Sequence, residues 1–251
     1  MRAMSDPTLD DLNSETQPIP ARRNKIPLWV KLAFTAFVAV MVPVYASLYG
    51  PWNFLFFCDV AVFVTLIGLW IESPLLISME AVAILVPQIF WIADFTAQVL
   101  GLKSTGMTAY MFWPSTPVIA FEISLFHIWL PAVLLILVQR LGYDRRAILL
   151  QIPSGIALVL VCFLCFVPPD TTGSTKPAMN LNFVFGLPGY MNWPAHHPRL
   201  WIADLLAVVI FGFYLPTHFV LGKTLVKRPA DAPEIKPQSD SALLPDATMS
   251  R

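Results

Sequence analysis

The chain has 251 residues, of which 57% are apolar and only 13% charged, with no net charge and a mean hydropathy of +0.66. Soluble domains carry about a quarter charged residues, so this balance excludes a single soluble core, and the neutral charge gives no sign of a nucleic-acid partner. Cys58, Cys162 and Cys165 all lie inside apolar stretches, which makes no disulfide framework and fixes no redox compartment.

Residues 1–26 are polar, Pro-containing and poor in large apolar groups, and read as a disordered tail. They do not read as a signal peptide, which would place a short apolar run directly after a basic start. Six apolar segments follow, at 27–49, 52–72, 75–97, 117–139, 147–168 and 200–222. A helix of about 20 residues crosses a hydrocarbon core of ~30 Å. Residues 223–251 form a second polar tail. The expected fold class is therefore all-α, a polytopic membrane bundle of about six transmembrane helices over 27–222.

The charges in the connections give an orientation. With the N-terminus inside, the inner segments carry Arg2, Arg22, Arg23 and Lys25, then Arg140, Arg145 and Arg146, then Lys223, Lys227 and Arg228. The outer connections carry only Lys103, Lys176 and Arg199. That is the positive-inside pattern, with both termini cytoplasmic. Trp29, Trp52, Trp113, Trp193 and Trp201 fall near the expected interfaces, as an aromatic belt would. The long outer connections, 98–116 and 169–199, are rich in Pro, Gly, Trp and Asn and read as caps over the outer mouth of the bundle.

Ionisable residues inside spans cost about 2.5–3.5 kcal/mol at a helix centre and usually face a bundle interior. Asp59, Glu80, Asp94, Glu122, His127, Asp204 and His218 are the candidates, and most belong to the outer half. Cys58 and Asp59 lie about 9–10 Å below the outer end of the second span, and His127 about 15 Å below that of the fourth. His127 sits in EISLFHIWLP, with Ser124 one turn earlier on the same face and Pro131 four residues later, where a kink is expected. A lone intramembrane His is as readily a packing imidazole as a functional one. A thiol becomes a nucleophile when a base favours the thiolate, so Cys58 meeting His127 across two helices has the chemistry of acyl transfer. Asp59, about 100° round the helix from Cys58, would fix a neighbouring group rather than touch the same atom. Cys162 and Cys165 read as packing.

His127, His196, His197, Asp59, Asp94, Glu122 and Asp204 also offer nitrogen and oxygen ligands, but no HxxxH or HExxH spacing supports a metal, and no cofactor is expected. Asn182, among Gly-Pro turns, would hold a head group, donate to an oxyanion, or simply bind its own loop.

The order of these features resembles the YwaF-like bacterial integral membrane proteins over roughly residues 45–222. FFCDVAVF lies near the outer end of the second span, SLFHIWLPAVLL in the fourth, then the basic GYDRRA loop and NLNFVFGLP before the last span. The wider group is related to transmembrane-protein-164-type acyltransferases and, more distantly, to the androgen-induced family of lipid-ester hydrolases. The resemblance implies Cys58 as nucleophile and His127 as its base, with Asp59 and Asn182 at the family's accompanying motif positions. It also implies membrane lipids as partners and substrates and a bacterial inner membrane as the location. The chain departs from the family pattern where NFLFF replaces a Pro and a His before the Cys, and where Ile128 replaces a Gly after the His. Two functions remain open at this point: a lipid acyltransferase or ester hydrolase using Cys58 and His127, supported by Asp59, Ser124, Glu122 and Asn182, and a non-enzymatic binding or transporter-like bundle. The scattered carboxylates suit the second, and the lack of an internal repeat weakens its transporter form.

Overall fold

A computed structural model describes residues 26–187, 193–194 and 197–225. The expectations for most of both tails, and for His196, lie outside the described residues. Within them the chain is mostly helical: α1 (Leu28–Tyr49), α2 (Phe57–Trp70), α3 (Pro74–Val99), α4 (Val118–Ser124), α5 (Phe126–Leu141), α6 (Ala147–Cys165), α7 (Pro198–Ala207) and α8 (Leu215–Thr224). Short 3-10 turns occupy Pro51–Leu55, Ala109–Phe112 and Leu181–Phe183, and a π-helical segment, Val208–Tyr214, joins α7 to α8. A two-residue strand, β1 (Gly186–Leu187), pairs antiparallel with β2 (Trp193–Pro194) in the cap.

Five helical runs are long and apolar enough to cross a membrane: Leu28–Tyr49, Pro74–Val99, Val118–Leu141, Ala147–Cys165 and Pro198–Thr224. The chain is thus a multi-pass integral membrane protein of the all-α class. The second expected span is not one long helix. Gly50 turns with φ 79°, the 3-10 turn begins at Pro51, and Phe56 is extended (φ −66°, ψ 141°), so α2 has only 14 residues and rises about 21 Å.

Contacts at one end of the bundle show how the traverses alternate. The buried Lys31 Nζ pairs with Glu72 Oε1 at 2.9 Å, joining the start of α1 to the α2–α3 turn, and the Ile26 N–H donates to the same oxygen. The Asp144 N–H donates to Ser78 Oγ, and Tyr143 bonds His218 through its hydroxyl and Leu225 through its N–H. In the same α5–α6 turn the Arg146 guanidinium holds the Asp144 carboxyl below the usual carboxylate range. The described chain starts and stops at this end, and both short turns lie there. The chain therefore traverses the bundle six times, five times by a full-length run and once by the shorter α2. The two long connections and the Gly50–Phe56 corner sit at the opposite, cap end.

α3 is the central helix, packed on α2, α5, α6, the π segment and α8. On α1 and α5, Phe34, Phe37, Phe126 and Trp129 interlock, with Phe37 and Trp129 centroids 4.9 Å apart at 85°. Such edge-to-face pairs contribute roughly 0.5–1.5 kcal/mol beyond burial. Leu32, Val40, Ile67, Ile89, Ile136, Leu149, Leu164 and Phe211 project outward, giving the exposed apolar flank that a lipid-facing bundle presents.

The helix break near His127 falls at Leu125, whereas α5 continues through Pro131. The local bonding explains this. His127 Nδ1 lies 2.8 Å from the Ser124 carbonyl, while the Ile128 N–H that would reach that carbonyl in a regular helix bonds Leu125 instead. The imidazole thus competes with the backbone and tightens the turn. In the last traverse, Pro216 has no N–H for the Gly212 carbonyl, and the π segment immediately before it absorbs the mismatch.

Candidate functional site

At the cap end the bundle surrounds a partly open cavity of about 670 Å³. Its wall is largely aromatic and aliphatic, with Phe56, Phe57, Phe90, Phe183 and Phe213 among its residues, and it includes Cys58, Gln88, Asp94, His127, Asn182 and Tyr214. Among the described residues no Lys or Arg lines it.

Cys58 is the second residue of α2, placed by the Phe56 corner where the first-turn N–H groups lack intrahelical partners. Asn182 closes that corner from the cap. Its Nδ2 donates to the Leu55 carbonyl at 2.8 Å and toward Cys162 Sγ at 3.4 Å, and its Oδ1 accepts the Phe57 N–H at 2.9 Å. Both amide hydrogens are therefore engaged, and Asn182 acts as a clasp rather than as a free donor for an oxyanion. Its φ of 51°, a left-handed value that Asn tolerates better than most residues, aims the side chain at α2.

His127 is held on three sides. It stacks on Trp91 with centroids 4.3 Å apart at 9°, and lies against Phe126 at 4.0 Å. A carbonyl can only accept, so the bond to Ser124 places the proton on Nδ1 and leaves Nε2 as the basic nitrogen. Ser124 supports this turn. Its Oγ donates to the Ala120 carbonyl, so the Tyr45 hydroxyl, 2.7 Å away, donates to Ser124.

The remaining candidates separate. Asp59 is 2% exposed and stands outside the cavity lining; its Oδ2 accepts from Asn53 Nδ2, and its Oδ1 has no hydrogen-bond partner. Asp94 lines the cavity but is saturated by the 104–108 loop, accepting from Thr105 Oγ1, the Gly106 N–H, the Thr108 N–H and Thr108 Oγ1. Glu122 and Asp204 are exposed on helix surfaces, and His197 is exposed beside a separate depression lined by Phe163 and Arg199. Among the described residues no three of His, Cys, Asp and Glu gather as a metal ion would require.

The cavity thus brings together Cys58, His127 and Asn182, and not Glu122, while Ser124 acts one residue layer behind the imidazole. Among the described residues no hydrogen bond joins the thiol to the imidazole. Gln88, a buried amide in LVPQIFW, is not ionisable, and Lys31 and Glu72 lie at span ends, so attention to ionisable residues deep in the spans passed over all three; a search for any strongly polar residue in or beside an apolar run finds them.

Fold and site define a class, a multi-pass membrane helix bundle with a capped apolar cavity that carries a thiol and an imidazole. Comparison with protein-family models, with curated proteins and with solved structures finds no match.

Proposed function

We propose that the protein processes acyl groups within the membrane, as a lipid acyltransferase or ester hydrolase that works from this cavity. One observation carries the reading: Cys58 of α2 and His127 of α5 open on the same apolar cavity, with Nε2 as the basic nitrogen of the imidazole. Apolar walls suit an acyl chain, and the corner at Phe56 puts the thiol at the cap end of the pocket.

In this reading Cys58 Sγ attacks the ester carbonyl while His127 Nε2 takes the thiol proton. The carbon–oxygen bond breaks, the alcohol leaves with that proton, and an acyl thioester remains. Water or a second alcohol then attacks the thioester, with His127 as base, and the thiol is restored. Catalytic geometry is often loose before substrate binds, and substrate binding is expected to draw the thiol and the imidazole together. The implied resemblance to YwaF-like and transmembrane-protein-164-type proteins points the same way, and with it a bacterial inner membrane. Asp94, tied to its loop, and Glu122, on the outer surface, argue against a carboxylate path for ions.

The apolar wall and the absence of a thiol–imidazole bond favour one second reading, non-catalytic lipid binding. Turnover separates the two. With full-length protein in lipid vesicles, Cys58→Ala and His127→Ala are each expected to lower turnover of phospholipid or fatty-ester substrates by about 100-fold or more, with unchanged thermal midpoints. Full turnover in both variants would leave only the binding reading.

A further inference from the structure

Three residues of the cavity wall also lie on the outer surface of the bundle. Among the described residues of that wall only Phe90, Ala93 and Val208 are exposed, Phe90 at 55% and Val208 at 51%. The cap residues on it, Ser104, Thr105, Met107, Phe183 and Leu187, are each partly covered. The exposed three come from two elements, α3 and the junction of α7 with the π segment. Away from the cap the last traverse closes on α3: the π segment and α8 pack along it, and the Phe90 and Phe213 rings meet at 5.7 Å and 42°. α7 packs on α3 far less and leans on α6. The last traverse therefore diverges from α3 toward the cap, and the π segment, a backbone form that recurs at functional sites, marks where the two part.

Depth decides what faces this gap. α3 has 26 residues and is about 39 Å long, so a hydrocarbon core of ~30 Å centred on it begins about 4–5 Å from either end. Ala93 and Phe90 lie about 9 and 14 Å in from Val99, the cap end of α3, and so within that core. The three rim side chains are apolar, so contact with acyl chains costs them no hydrogen bond. Cys58 and His127 stand on the wall of the same cavity.

We infer that the gap between α3 and α7 is a lateral portal, through which the acyl chain of a lipid already dissolved in the bilayer enters the cavity, rather than through the outer cap. The substrate class that follows is a membrane-resident acyl lipid, not a water-soluble ester. Only the role of that lipid as a substrate rests on the acyl chemistry proposed above; the portal rests on the exposed rim and its depth.

The test places full-length protein in phosphatidylcholine vesicles that contain a phosphatidylcholine with a diazirine midway along one acyl chain, and maps the photolabelled residues by peptide mass spectrometry. The wild type is expected to be labelled on Ile84 or Val209, which line the cavity and are 1% and 7% exposed, as well as on the outer flank at Leu149 and Leu164. Ala93→Trp and Val208→Trp add bulk from the two sides of the gap, at exposed positions. Each is expected to lower labelling of Ile84 and Val209, relative to the flank, at least about fivefold, the scale on which an overpacked side chain disfavours the state it obstructs. Met107→Trp brings similar bulk from the cap and is expected to lower it far less. Absence of interior labelling in the wild type overturns the inference, and that result needs no variant to fold. So does a fall in Met107→Trp as large as in the other two, or undiminished interior labelling in both Ala93→Trp and Val208→Trp. The labelling is to be repeated in Cys58→Ala. Interior labelling there that still depends on the portal, with no ester turnover in the wild type, retains the portal and sinks the enzyme. Ester turnover that is undiminished in Ala93→Trp and Val208→Trp, with unchanged interior labelling, does the reverse.

Discussion

Asn182 uses all of its carboxamide to join the cap to the first turn of α2, so its removal leaves the Phe57 N–H and the Leu55 carbonyl without their partner. Each such buried group costs about 1–3 kcal/mol, and Asn182→Ala is expected to lower stability by roughly 2–3 kcal/mol, read as a drop in thermal midpoint in detergent. Asn182→Gly keeps the left-handed backbone accessible and removes only the clasp. It should fall nearly as far as Ala; a wild-type midpoint for the glycine variant would show that the backbone, and not the carboxamide, matters. At this scale the sequence was legible in part. Burial of a His, a Cys and an Asp inside apolar runs marks them as residues with tasks, and depth along each helix places Cys58 and His127 in the same half. The direction of a side chain is not in that signal. Asp59 turns away to Asn53 and Glu122 to the outside, because 100° steps around a helix separate residues that a linear depth scale treats alike.

Among elements, the contact between α6 and the π segment is the most sharply constrained. A Cβ on Gly155 would stand 2.6 Å from the Tyr214 hydroxyl, which itself accepts from Gln151 Nε2, and Tyr214 lines the cavity. Helix propensity alone makes Gly→Ala favourable by about 1 kcal/mol. The clash reverses the sign: Gly155→Ala is expected to destabilise by about 1–3 kcal/mol, as overpacking does. Tyr214→Phe in the same chain should recover part of the loss. A stabilised Gly155→Ala protein would contradict this packing. Hydropathy found each traverse because a window of about twenty residues averages over local backbone geometry. The same averaging hides the corner before α2, the break at Leu125 and the π segment, which depend on single bonds made or forgone by Pro51, His127 and Pro216.

For the whole molecule, the contacts of Lys31, Glu72, Tyr143 and Asp144 gather the start of α1 and both short turns at one end, the end that the positive-inside reading expects to be cytoplasmic. The buried Lys31–Glu72 pair fastens the first helix to the rest. Lys31→Met removes the ammonium that Glu72 Oε1 accepts from and is expected to lower the thermal midpoint, whereas Lys31→Met with Glu72→Gln should return part of the loss. Equal thermal midpoints for the single and double variants would show that the pair is not coupled. The topology was legible because membrane insertion imposes it through composition; the cavity was not, because it arises where three connections distant in sequence meet.

In the proposed function, Cys58 in that cavity carries an acyl group. The direct measurement is the mass of the Cys58 peptide after full-length protein in vesicles meets a single-chain fatty ester and is quenched with acid. The wild type should show a mass increase equal to the acyl group, removed by neutral hydroxylamine as a thioester is, and His127→Ala should show slower formation of the same adduct. Ester turnover by the wild type with no acyl adduct on Cys58, and undiminished in Cys58→Ala, would contradict the account.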